Sequence, residues 1–94
     1  MIASLQIQLH IPQSQSLKDK RRVIKSLKDR LRQKFNVSVA ETADLDKWQA
    51  STIEIAMVSN DQIHLETQIE KINEFIERVL AGDGFVTARE VTLL

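Results

Sequence analysis

A chain of 94 residues with no cysteine has no disulfide framework, no thiolate metal site and no cysteine nucleophile, and its length suits one domain burying about two thirds of its unfolded surface. Formal net charge is zero, yet Ser16 to Asn36 carries nine of the thirteen basic residues against two acids, a local +7 balanced by −7 over the remainder. Segregation of that kind, rather than the overall balance, is what speaks about partners.

Ala3, Leu5, Ile7, Leu9 and Ile11 alternate strictly with Ser4, Gln6, Gln8 and His10, which predicts a half-buried strand stopped by Pro12. The start Met1-Ile2-Ala3-Ser4 lacks the features of a signal peptide, and no apolar run approaches the roughly 18 residues of a membrane span. The expectation is a cytoplasmic protein with no membrane association.

From Ser16, the residues Leu17, Ile24, Leu27, Leu31 and Phe35 recur at the spacing of one helical face, with Val23 beside them. Ser16 is placed to accept from the Asp19 amide, and Asn36 suits the helix end because asparagine tolerates the left-handed conformation. At about 100° per residue, Lys18, Arg21, Arg22, Lys25, Lys28 and Arg32 gather on an exposed flank. Lys20 projects toward the apolar side and is expected to run its methylenes along it to reach water.

Val37 to Glu41 read as a second strand, and Thr42 to Gln49, with Asp44, Asp46 and the only tryptophan, Trp48, as a hairpin connection. A third strand follows with Ile53, Ile55 and Met57 facing the core and Thr52, Glu54, Ala56 and Val58 facing out. Ser59-Asn60-Asp61 opens a second helix, with Gln62 placed for a capping box with Ser59. That helix runs to about Leu80, buries Leu65, Ile69, Ile72, Phe75, Ile76, Val79 and Leu80, and stops at Gly82 or Gly84. Phe85 to Leu93 form a last strand whose register stays open, because Val86/Ala88 and Val91/Leu93 favour opposite faces.

The order strand, helix, strand, strand, helix, strand predicts one α+β domain over residues 1–94, a ferredoxin-like βαββαβ fold. Its four antiparallel strands should lie in the order 4-1-3-2, with both helices on one face.

Chemistry is sparse in this pattern. His10 and His64 are isolated from each other, Asp44 and Asp46 lack the remaining ligands of a calcium loop, and no glycine-rich phosphate loop exists. No catalytic residue, metal ligand or cofactor is indicated. Glu66, Glu70, Glu74 and Glu77 form an acidic stripe on the second helix, which either pairs with the basic flank across the helix seam or leaves that flank free for a polyanion. Four glutamates cannot neutralise nine cations, and nucleic acid is the commonest partner for the excess. The central strands carry no aromatic platform, so RNA would be held by Lys18, Arg21, Arg22, Lys25, Lys28 and Arg32 through its backbone and shape. Trp48 is either a cap over the sheet edge or a partner-facing anchor.

Three stretches, SLKDKRRVIKSLKDRLRQKFNVSVAE from Ser16 to Glu41, Asp46-Lys47-Trp48-Gln49, and Val58-Ser59-Asn60-Asp61, resemble the YlxP-like family of small bacterial proteins. The resemblance implies a ferredoxin-like fold and, because the genes of that family often neighbour those for translation initiation and ribosome-binding factors, an accessory role near the ribosome. Ala50 departs from the basic residue expected after Gln49. The leading expectation is a non-enzymatic factor binding structured RNA or a ribosomal subunit. The alternative is a self-associating or protein-binding module, a homo-oligomer included, that joins complementary basic and acidic surfaces.

Overall fold

The computed structural model describes residues 1–94, and its elements run β1 (Ile2–His10), α1 (Leu17–Lys34), β2 (Ser38–Ala43), β3 (Ala50–Val58), α2 (Gln62–Leu80) and β4 (Phe85–Leu93). The strands form one sheet in the order β2-β3-β1-β4, antiparallel at every pairing. This is the βαββαβ arrangement with the expected strand order, read from the opposite edge.

Ala3, Leu5, Ile7 and Leu9 of β1 and Ile53, Ile55 and Met57 of β3 are buried as their alternation requires. They meet Ile24, Leu27 and Leu31 of α1 and Leu65, Ile69, Ile72, Ile76 and Leu80 of α2 in one apolar cluster. Phe75 and Val79 are only partly buried, packed against that cluster near α1.

The helix ends follow from capping chemistry. Ser16 Oγ accepts from the Asp19 amide at 3.1 Å, and the Asp19 carboxylate accepts in return from the Gln15 amide. Asn36 does not serve as a left-handed cap. The helix ends through Phe35 in an extended conformation, its amide donating to Leu31 O, so burial of the Phe35 ring rather than a backbone reversal terminates it. At α2 the cap is Asp61, whose Oδ1 accepts from the Ile63 amide, while Ser59 accepts from the Asp61 amide. The capping box between Ser59 and Gln62 therefore does not form, and Gln62 donates to Glu66 instead.

Two bulges settle what alternation left open. Gln8 lies opposite Ala88 but Leu9 lies opposite Val86, so Thr87 is an extra residue and its hydroxyl donates to Gln8 O. Val86 and Val91 thereby share the helix-facing side although they stand an odd number of positions apart. In β2, Thr42 is the extra residue and the strand extends to Ala43, two residues past the predicted end. Glu41, opposite Ile53, then points into the helix layer.

Gly82 adopts φ +90°, which reverses the chain after α2, and Asp83 and Gly84 donate to Leu80 O. Gly84 is required for a different reason: a Cβ there would stand 2.4 Å from His10 O. Gly84→Ala is expected to cost about 1–3 kcal/mol, read as a lower urea midpoint, because the obstructing atom is backbone and cannot rotate away.

Candidate nucleic-acid interface

The buried stripe of α1 fixes where its charges point. Ile24, Leu27 and Leu31 face the sheet, and four of the six flank cations, Arg21, Lys25, Lys28 and Arg32, turn toward the edge strand β2. With Asp29 and Glu41 they line an open groove of about 320 Å³. Arg22 is turned away and lines a separate cleft with Gln13, Asp19 and Asp83. Lys18 is exposed at the first turn and lines neither. The structure thus brings four of the predicted residues together and sets two beside them.

Neutralisation within this flank is local and partial. Asp29 accepts from Lys25 at 2.7 Å and pairs with Arg32 at 3.5 Å, and Arg32 also donates to Val39 O at 2.8 Å. Lys18, Arg21, Arg22 and Lys28 have no carboxylate within salt-bridge reach. The hydrogen bond from Lys25, with the charges of Lys25, Arg32 and Lys28, holds the Asp29 carboxyl below its ordinary value despite an opposing desolvation. Its contribution to stability is present above the ordinary carboxylate range and is lost as pH falls through that lowered value. Asp29 is the only acid in the flank itself, so Asp29→Asn is expected to tighten polyanion binding about two- to fourfold at low salt, measured by fluorescence anisotropy.

No ion pair links the helices, so of the two alternatives for the acidic stripe the inter-helix network does not form. The seam instead presents Arg30, Lys34 and Arg78 around Phe75, lining an open groove of about 420 Å³. Lys34 Nζ lies 5.0 Å and Arg78 Cζ 5.6 Å from the ring centroid, and Phe35 meets the same ring edge-on. This second cationic group went unread in the sequence, although Arg30 and Lys34 stand one turn apart on the flank opposite the first. Glu66, Glu70, Glu74 and Glu77 are exposed, and Glu77 pairs with Arg89 of β4, so the acidic stripe flanks the other sheet edge.

Lys20 does not reach water. Its side chain is fully buried, with Nζ 3.0 Å from Glu41 Oε2 and donating to the carbonyls of Asp44, Leu45 and Ala50 at 2.7, 3.3 and 3.2 Å. Glu41 also accepts from Ser51. This buried ammonium fixes the β2–β3 loop, in which Asp44, at φ 62°, accepts from Thr52 and pairs with Lys47. These bonds hold the Asp44 carboxyl below its ordinary value, Lys47 foremost. Asp44 is a turn residue in this setting. Trp48, on the same loop, keeps 56% of its surface exposed and is free to meet a partner.

His10 and His64 lie at opposite ends of β3, the first opposite Ala50 and the second beside Val58, and do not form a joint site. No three histidine, aspartate or glutamate side chains gather in a metal-binding cluster. No helix is long and apolar enough to cross a membrane.

A family model described as a protein of unknown function, DUF503, matches residues 2–84. The uncharacterized protein YlxP of Bacillus subtilis (strain 168) is 35% identical over 90 residues, which cover 96% of this chain and 98% of that protein. Among solved structures, the de novo designed protein Foldit4 aligns over 100% of this chain and 99% of its own, with TM-score 0.62 and 18% identity. The de novo designed protein LFR1 1, with ferredoxin fold, aligns over 100% of this chain and 87% of its own, with TM-score 0.63 and 15% identity. These two likenesses establish the ferredoxin-like fold.

Proposed function

The chain belongs to the DUF503 family, and for this member we propose a non-enzymatic role in binding structured RNA, including the RNA of a ribosomal subunit, through the exposed flank of α1. The observation that carries this reading is that Lys18, Arg21, Arg22 and Lys28 stand on one helix without carboxylate partners while the acidic residues of α2 flank the other sheet edge. Like charges one turn apart on a helix cost about 0.2–0.5 kcal/mol per pair, and a phosphate backbone removes that cost. Spacing of this kind reads duplex shape and charge, with no base selectivity.

The test is co-sedimentation of the purified protein with ribosomal subunits, together with anisotropy of a labelled RNA hairpin, across a salt series. Four to six phosphate contacts predict that log K falls against log salt with a slope of about −3 to −5. Absence of binding at low salt would overturn the role.

A second reading is favoured by the placement of charge at the two sheet edges. β2 and β4 run antiparallel to each other, so β4 of one copy could continue the sheet at β2 of the next, setting the acidic flank of α2 against the basic flank of α1. Pairing either edge with its own kind would set like charges together. Such head-to-tail association predicts an elution volume in sizing chromatography that shifts to the monomer as salt is raised. A monomer at both salt concentrations would remove it.

A further inference from the structure

The open face of the sheet carries an aromatic pair that alternation did not reveal. Phe85 lies directly opposite His10, on the face away from the helices, with ring centroids 5.4 Å apart and planes at 54°. Phe85 leaves 54% of its surface in solvent. The approach of the two strands at this point depends on Gly84, whose missing side chain admits His10 O. Ala50, on the other side of His10, and Ala88, one row along beside Gln8, are too small to cover the rings.

Polar groups stand next to this platform. Gln8 and Gln6, about 7 and 14 Å along the strand from His10, line a shallow depression of about 90 Å³ with Ala88, Arg89 and Glu90. A side-chain amide offers both a donor and an acceptor, which suits the edge of a nucleobase. Cations lie at the same end of the domain. Arg22 shares its cleft with Asp83, two residues before Phe85, and Lys47 precedes Trp48, which itself is two residues before Ala50. Glu54 and Glu90, opposite Gln6 on the same face, repel phosphates from the centre of the sheet. Room is left for one or two bases at the His10 end.

We propose that Phe85 and His10 form a stacking site for an unpaired nucleobase of RNA, read at its edge by Gln8, on the sheet face opposite the phosphate path along α1 and at the end of the domain where Arg22 lies. The site rests on the RNA-binding role of that helix and adds to it a preference for a single-stranded segment beside a duplex. Base-on-aromatic stacking tolerates any sequence, so the preference is for strandedness rather than for a base.

The experiment compares a blunt RNA hairpin with the same hairpin carrying a short single-stranded extension, by anisotropy, with Phe85→Leu, Phe85→Trp and Arg21/Arg22/Lys25→Ala variants. The extension is expected to tighten binding of the unaltered protein about five- to a hundredfold. Phe85→Leu, which retains an apolar side chain, is expected to lose that gain while binding the blunt hairpin as before, and Phe85→Trp to keep it. Equal gains for Phe85→Leu and the unaltered protein would overturn the stacking site and leave the helix reading intact. Unchanged affinity of the triple variant for both hairpins would overturn the helix reading alone. Failure of the unaltered protein to bind either hairpin would overturn both.

Discussion

Lys20→Ala is expected to lower the unfolding free energy by about 3–5 kcal/mol, the range for removing one partner of a buried pair. The side chain fills a position on the apolar stripe of α1, one turn before Ile24, so its methylenes pack like those of a leucine while the ammonium carries the charge. An ammonium has three protons, and here four oxygens share them: Glu41 Oε2 and the carbonyls of Asp44, Leu45 and Ala50. Truncation leaves a cavity and strands a carboxylate whose side chain is 11% exposed. Lys20→Met combined with Glu41→Gln should recover most of the loss, since both the cavity and the unpaired charge are then relieved. Urea unfolding measures these changes, and the fluorescence of Trp48, the only tryptophan, reports whether the β2–β3 loop loosens first. A change below 1 kcal/mol for Lys20→Ala would show that the buried ion pair does not organise the loop.

Replacing Arg21, Arg22 and Lys25 together by alanine is expected to weaken RNA binding about one hundred- to five hundredfold at 0.1 M salt, alike for all sequences. The magnitude follows from counter-ion release, in which each phosphate contact at that ionic strength is worth about five- to eightfold. The slope of log K against log salt should become shallower by about 2 to 3. The fold should survive, because all three side chains are exposed and the only ion pair lost is the surface contact between Lys25 and Asp29. The structure refines the experiment further. Arg22 faces a different cleft from Arg21 and Lys25, so Arg22→Ala measured apart from Arg21/Lys28→Ala identifies the side along which the phosphates run. Equal affinity for the triple variant and the unaltered protein would remove α1 as the interface.

Much of the architecture was legible from periodicity because the core is built from regular stripes. The alternation in β1 and β3 and the stripes of α1 and α2 name nearly all the residues that become buried, and the element order leaves few ways to cover one sheet face. What periodicity missed lies where a rule of local spacing is broken. The conflicting faces of Val86 and Val91 are reconciled by the single extra residue Thr87, and a bulge depends on the partner strand as much as on its own sequence. Asp61 rather than Ser59 caps α2, a choice between two good capping residues two positions apart that depends on how the chain leaves β3.

The candidate site divides in the same way. The residue order alone places nine cations in one segment, and the fixed turn of about 100° per residue gives that segment one apolar stripe. Which neighbour each flank meets depends on packing: α2 turns its glutamates toward β4, so the α1 cations are left without them, and Arg30 and Lys34 meet Arg78 around Phe75. Packing likewise buries Lys20 against Glu41 and brings Phe85 to His10. Each of these joins residues brought together by strand register and helix packing across 21 and 75 positions of chain, and no local pattern encodes a contact whose partners are that far apart.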